Sequence, residues 1–310
     1  MTRRRLDAEL VRRGLVTSRE QGRTAIEQGR VTVAGNVATK AASQVDDASA
    51  IELREALDSR YVSRGAHKLI GALDAFGVDV AGVDALDAGA STGGFTQVLL
   101  ERGAARVLAV DVGYGQLAWP LRSDERVTVL ERTNVRYLAD ARGDGGGNGS
   151  TVDNGEPHES VRLPFTPNLV VADLSFISLR LVLPALVAVA GPETDFLLMV
   201  KPQFEVGKER VGSGVVTSPD LRREAVARVV SAAQAEKLAI FGVAASPLPG
   251  PKGNVEYFLW MGKVGGDAAE PNEHDGAMER EDRVSAGLSA GLSAAEIESA
   301  IARAVQEGPQ

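Results

Sequence analysis

The chain has no cysteine among its 310 residues. That excludes disulfides, thiolate zinc sites and a cysteine nucleophile, and it is compatible with a reducing cytoplasm. Histidine is nearly as scarce: His67, His158 and His274 are scattered and do not form a metal set. Long hydrophobic runs are missing too. The longest, Leu179 to Ala190, is broken by Arg180 and Pro184 and falls short of the ~20 residues that span a bilayer, so it is read as a core helix. The start, Met1-Thr2-Arg3-Arg4-Arg5-Leu6-Asp7, lacks the apolar stretch of a secretory signal. A formal net charge of −8 argues against a protein that coats nucleic acid indiscriminately. What remains is an ordinary globular composition, 44% hydrophobic and 25% charged, at a length that suggests about two domains.

The most informative stretch is Asp87-Ala88-Gly89-Ala90-Ser91-Thr92-Gly93-Gly94-Phe95-Thr96, which follows the strand-like Val83-Asp84-Ala85-Leu86. It reads as a strand, a turn with three glycines and the start of a helix. Glycine lets a backbone approach a ligand closely, and the helix start offers unpaired N–H groups to it. A second strand, Arg106 to Asp111, ends in a carboxylate about 20 residues past the turn, where dinucleotide-type folds place an acid on a ribose diol. The turn carries neither a G-x-G-x-x-G pattern nor the Gly-Lys-Ser/Thr of a phosphate loop. Led by an acid and rich in Ala, Ser and Thr, it resembles motif I of S-adenosylmethionine-dependent methyltransferases. That resemblance implies that Asp87, Gly89, Ser91, Gly93, Gly94 and Phe95 line the methionine side of the cofactor and that Asp111 takes its ribose hydroxyls. Asn134, after the third strand, could reach the adenine.

Residues 1–60 have a different texture. Leu6, Leu10, Val11 and Leu15 make a helical stripe closed by Gly14. A second helix starts at Ser18, which has capping-box spacing to Gln21, and ends at Gly29. Val31-Thr32-Val33, Ala34-Gly35-Asn36 and Val37-Ala38-Thr39-Lys40 read as a tight hairpin. Residues 1–30 hold eight arginines against four acids, whereas residues 267–283 hold seven acids against two arginines. The two-helix and hairpin pattern resembles the S4 RNA-binding domain. It implies a positive face for structured RNA built from Arg5, Arg12, Arg13, Arg19, Arg23, Arg30 and Lys40.

From residue 61 the pattern becomes α/β alternation, with strands expected at 83–87, 106–111, 127–130, 167–172, 195–200, 239–245 and 255–261. Such alternation implies a seven-stranded, mostly parallel sheet covered on both faces, a Rossmann-like α/β fold beside the small α+β module. The domain is expected over 61–264, with a mobile glycine-rich insertion at about 141–160. An acidic linker at 265–283 and a C-terminal helix within 284–310, folded back on the domain, complete the chain. Two strand ends carry candidate chemistry, Asp173 and Lys201; Lys68 starts the first helix of the domain and Glu256 opens the last strand. Loops at the ends of such elements carry function.

A Lys–Asp–Lys–Glu series around a motif I turn resembles the FtsJ-type 2′-O-ribose methyltransferases. Preceded by an S4-like module, the whole chain resembles the TlyA, or haemolysin A, family. The resemblance implies a cytoplasmic enzyme that methylates cytidine ribose in 16S and also 23S ribosomal RNA, on free RNA or subunits, with S-adenosylmethionine as cofactor and no metal. A ribose hydroxyl is a poor nucleophile, so the enzyme must orient it, hold the reacting atoms ~3–3.5 Å apart and help remove a proton. Lys201 is expected to activate the hydroxyl, with Lys68 disfavouring its charged form and contacting RNA. Asp173 anchors both lysines, and Glu256 orients one of them. A non-catalytic RNA-binding or ribosome-assembly factor is the competing reading. A membrane-lytic protein ranks last, for lack of a spanning segment or a basic amphipathic helix.

Overall fold

The computed structural model describes residues 3–27, 29–53, 60–141, 151–153, 156–158, 163–212, 214–250, 252–263 and 291–309. The acidic linker lies outside them. Of the glycine-rich insertion, residues 151–153 and 156–158 pair in a short antiparallel ladder that includes His158, and the rest lies outside the described residues.

In the N-terminal module, helices Leu6–Arg12 and Arg19–Glu27 pack over a three-stranded sheet. Strand Val31–Val33 pairs with Asn36–Val37 on one side and Ile51–Leu53 on the other. The hairpin turns on Ala34 and Gly35, both at positive φ (48° and 79°), which matches the right-handed strand twist. Leu6, Leu10, Ile26 and Val31 fill a small core. The second helix starts as its sequence dictates, with Ser18 Oγ accepting the Gln21 N–H at 3.1 Å.

The larger sheet has seven strands: β1 (Asp84–Ala88), β2 (Arg106–Val110), β3 (Val127–Leu130), β4 (Leu169–Ala172), β5 (Asp195–Val200), β6 (Leu238–Ala245) and β7 (Tyr257–Lys263). Their order is β3-β2-β1-β4-β5-β7-β6. All neighbours are parallel except β7, which runs antiparallel to β5 and β6. All of β4 is buried, as its unbroken Leu-Val-Val-Ala run requires of a central strand covered on both faces. Helices α1 (Gly65–Phe76) and α2 (Gly94–Glu101) cover one face through Leu69 and Leu99. Helices α3 (Leu183–Val189), α4 (Pro219–Ala235) and α5 (Ala294–Glu307) cover the other through Leu183, Val226 and Ile301. The chain re-enters beside β6, where Leu292 N–H donates to Ile240 O at 2.7 Å, and α5 then starts with a Ser293–Glu296 capping box. Among the described residues no helix is long and apolar enough to cross a membrane.

This order reverses between β1 and β4. The carboxyl ends of these two strands open side by side, and in open α/β sheets that is where a ligand crevice forms.

Candidate active site

The glycine turn grows directly out of β1. Gly89 has φ +88° and Gly93 φ +99°, conformations that L side chains avoid. A Cβ on Gly89 would lie 2.9 Å from the carbonyl oxygen of Asp173, so the turn after β1 touches the backbone after β4. A Cβ on Gly94 would collide with Ser63 Oγ. The cleft left between them has a volume of about 360 Å³ and is lined by Ser63, Lys68, Gly89, Phe95, Asp173 and Lys201, with Ser91 and Gly94 beside them.

Asp87 lies beneath this cleft, fully buried. Its Oδ2 accepts the Thr96 hydroxyl at 2.6 Å, and its Oδ1 has no partner in the protein. Burial pushes its carboxyl up to about 7; the Thr96 hydrogen bonds oppose that, and Asp173 and Asp111 add to it. A buried acceptor left unpaired is costly unless a ligand completes it. A cationic, hydrogen-bond-donating group such as the amino-acid end of S-adenosylmethionine fits that requirement. Asp111 sits at the carboxyl end of β2. It accepts Ser91 N–H at 2.8 Å and Gly113 N–H at 2.6 Å, and it lines a smaller cavity with Ala90, Gln116 and Glu131. Its second lone pairs remain for a ribose diol. Asn134 lines neither cavity; its side chain caps the following turn by accepting Arg136 N–H at 3.1 Å.

On the other wall the four charged residues form a chain of contacts. Glu256 Oε2 is 2.5 Å from Lys68 Nζ, Lys68 Nζ is 3.9 Å from Asp173 Oδ2, and Asp173 Oδ1 is 2.5 Å from Lys201 Nζ. Glu256 therefore orients Lys68 rather than Lys201, and Asp173 sits between the lysines, closer to Lys201. Both lysine side chains are below a tenth exposed, and the two acids match them in charge. Gly250 leaves room for the Glu256 carboxylate, which a Cβ there would meet at 2.5 Å.

Several contributors escaped the sequence reading. Ser175 Oγ is 2.9 Å from Lys201 Nζ, and Met199 Sδ is 3.8 Å from Lys68 Nζ. Phe176 is 91% exposed at φ +65° beside Ser175, with Phe204 at 5.4 Å between ring centroids. Gln97 of α2 grips the interdomain segment, donating to Arg60 O at 2.9 Å and accepting Val62 N–H at 2.9 Å. Only the Ser175-Phe176 pair left a signal in the sequence, an aromatic three residues past Asp173. His67 stacks edge-on against Tyr61 at 5.2 Å, and among the described residues no three His, Asp or Glu side chains gather around a metal position. Arg210 is engaged with Glu224 at 2.6 Å and 2.5 Å.

The cations of the N-terminal module divide into two groups. Asp7 and Glu9 are almost wholly buried. Arg5 and Arg19 hold Asp7 at 2.9 Å and 3.1 Å; Arg12 and Arg13 hold Glu9 at 2.5 Å and 2.8 Å. Hydrogen bonds from these guanidiniums lower both carboxyls to about 2, with Arg5 the main cause at Asp7 and Arg12 at Glu9. Arg13 turns inward and also donates to Ser49 O and Asp46 O, so it ties a loop down instead of joining the outer face. Arg23 and Lys40 are exposed and form no ion pair among the described residues, and Arg30 is half-buried beside the hairpin.

The sequence profile of the FtsJ-like methyltransferases matches residues 61–263, and that of the S4 domain matches residues 4–51. The chain is 50% identical to the 16S/23S rRNA (cytidine-2′-O)-methyltransferase TlyA of Mycobacterium tuberculosis, over 99% of each chain. It is 33% identical to hemolysin A of Brachyspira hyodysenteriae over 82% of this chain and 97% of that one. A solved structure classed with the hemolysins, from Streptococcus thermophilus, superposes with a TM-score of 0.65 at 31% identity, covering 99% of this chain and 97% of that one.

Proposed function

The chain belongs to the TlyA family of FtsJ-like methyltransferases that carry an S4 domain, and we propose that it methylates a cytidine 2′-hydroxyl of 16S ribosomal RNA, with 23S as a second substrate. The observation that carries this is the contact chain Glu256–Lys68–Asp173–Lys201 on the wall of the same cleft that the glycine turn lines. S-adenosylmethionine, held by Asp87, Gly89, Ser91, Gly93, Gly94, Phe95 and Asp111, supplies an electrophilic methyl group on sulfur. Once its own ammonium has lost a proton to solvent, Lys201 orients the acceptor hydroxyl and takes its proton as the C–O bond forms; the methyl–sulfur bond would break to leave the neutral thioether S-adenosylhomocysteine, and Asp173 stabilises the ammonium so restored. Ser175 fixes Lys201 from the side. Lys68, steered by Glu256, contacts the acceptor nucleotide. Action on ribosomal RNA puts the enzyme in the cytoplasm.

The direct test is transfer of labelled methyl to ribosomal subunits and naked rRNA. Label is expected in alkali-resistant dinucleotides containing cytidine. A protein that binds the cofactor yet leaves every RNA unlabelled would overturn the proposal.

Phe176 is the stacking platform for the acceptor base once it leaves its helix, since an aromatic ring held in solvent beside the reacting centre has a free face for a base. Phe176→Ala is expected to lower kcat/KM for RNA about tenfold, in line with ~1–3 kcal/mol per stacked base, with cofactor affinity unchanged. Isothermal titration and initial rates separate the two.

The raised Asp87 carboxyl gives a pH signature. Near pH 7 it is partly protonated, and a cationic ligand holds it ionised, so binding releases a proton. Cofactor affinity is expected to climb as pH rises through about 7 and then level off. Binding heats at pH 7 should vary with the ionisation enthalpy of the buffer, and Asp87→Asn should remove that dependence.

Gln97 joins the interdomain segment to the helix that begins at the cofactor turn, so docking of RNA on the S4 domain is coupled to cofactor binding through it. Gln97→Ala is expected to weaken cofactor affinity by about threefold to tenfold, the loss of one or two hydrogen bonds. Equal affinity in the variant would remove the coupling.

A further inference from the structure

Glu205 is a carboxylate that the chemistry above leaves unused. It ends the single turn Pro202–Glu205 immediately after Lys201 and is 2% exposed. Its Oε2 accepts the Ser178 hydroxyl at 2.6 Å, and its Oε1 accepts the Leu179 N–H at 2.7 Å. Arg180 Nε lies 3.4 Å from Oε2. A dry carboxylate is expensive to keep, and removing it would strand buried donors.

All three donors belong to the segment that follows β4 and Asp173. That segment carries Ser175, in contact with Lys201, and Phe176, held out in solvent with φ +65°. Positive φ is strained for a bulky aromatic and persists only where neighbours over-determine the backbone. Here the neighbours come from one short turn: the Phe204 ring lies 5.4 Å from that of Phe176, covering little of it, and Glu205 pins Ser178, Leu179 and Arg180 just beyond it. The same turn begins at Lys201. The height of the acceptor-side segment is thus set relative to the reacting lysine by a single rigid piece of chain.

We infer that Glu205 is a positioning residue for the acceptor nucleotide, which registers Ser175 and Phe176 against Lys201. This rests on the stacking role proposed for Phe176. The function is alignment: a misplacement of about 1 Å at a reacting centre can cost on the order of a hundredfold in rate.

The test uses the full chain with rRNA and compares Glu205→Ala, Glu205→Gln, Phe176→Ala and the double variants, by single-turnover methylation at saturating RNA. Binding of S-adenosylhomocysteine and thermal melting are followed alongside. Glu205→Ala is expected to slow transfer by about twentyfold or more with cofactor affinity within about twofold. Glu205→Gln should recover most of the rate, because its carbonyl can accept Leu179 N–H while its amide donates to Ser178 Oγ. In the Phe176→Ala background the effect of either change should shrink, since coupled residues are not additive. Full additivity, an unchanged rate, or a parallel loss of cofactor affinity would overturn the inference. Where Glu205→Ala does not fold, Glu205→Asp, which keeps the charge but shortens its reach to Ser178 and Leu179, replaces it in the cycle and is judged by the same criterion. If Phe176→Ala alone is silent, the stacking reading falls. Glu205 must then lose its effect in a Ser175→Ala background, or the inference falls with it.

Discussion

Lys201→Ala is expected to lower the rate of methyl transfer by about a thousandfold or more at saturating RNA and cofactor, within the ~10²–10⁴ that a positioned proton acceptor contributes together with the loss of orientation. Lys201 has contacts that commit it to this role: Asp173 at 2.5 Å, Ser175 at 2.9 Å and a place on the cleft wall. Its removal leaves Asp173 with Lys68 alone, 3.9 Å away, and one acid in excess in a mostly buried cluster. Cofactor affinity should change little, because Asp87 and Asp111 stand outside the ion-pair chain, Asp87 beneath the cleft and Asp111 in the smaller cavity. Lys201→Arg should not rescue the rate, since a guanidinium stays charged and cannot take a proton. Single-turnover rates measured with titration of the cofactor check both halves. A Lys201→Ala enzyme within about tenfold of the parent would exclude it as proton acceptor.

Much of this arrangement was legible because it is written in consecutive residues. The apolar run of β4, the glycine turn after β1 and the acids and lysines at strand ends follow from local pattern and parallel topology, which together bring Gly89 and Asp173 into contact. What stayed hidden depends on distance across loops. Ser63 packs on Gly94 and Gln97 binds Arg60 and Val62 by way of a turn whose path no periodicity encodes. Phe176 looked like one more loop aromatic until its backbone put it in solvent next to Ser175, which lines the cleft. Partner choice was equally silent: Glu256 could have faced either lysine and faces Lys68. Arg13 belonged to the basic stripe by spacing alone, and the buried Glu9 drew it inward.

Reversing the charge of Arg23 and Lys40 together is expected to weaken binding to rRNA about a hundredfold near physiological salt while leaving cofactor affinity and melting intact. These two cations are exposed and form no ion pair among the described residues, so their fields reach solvent uncompensated. Each phosphate that is no longer neutralised should reduce the slope of log affinity against log salt by about 0.7–0.9, and two reversed charges add repulsion to that effect. Arg5, Arg12 and Arg19 make a contrasting set, each anchored on the buried Asp7 or Glu9. A carboxylate beneath a guanidinium offsets part of its charge but fixes its orientation, which suits a geometric contact with phosphate more than long-range attraction. Charge reversal at Arg19 would set a glutamate against buried Asp7 and confound binding with unfolding, so Arg23 and Lys40 provide the cleaner experiment. An Arg23→Glu/Lys40→Glu variant that binds as tightly as the parent, with the same salt slope, would move the RNA face onto the anchored arginines. Neutral changes at those arginines should then lower affinity without flattening the slope as far.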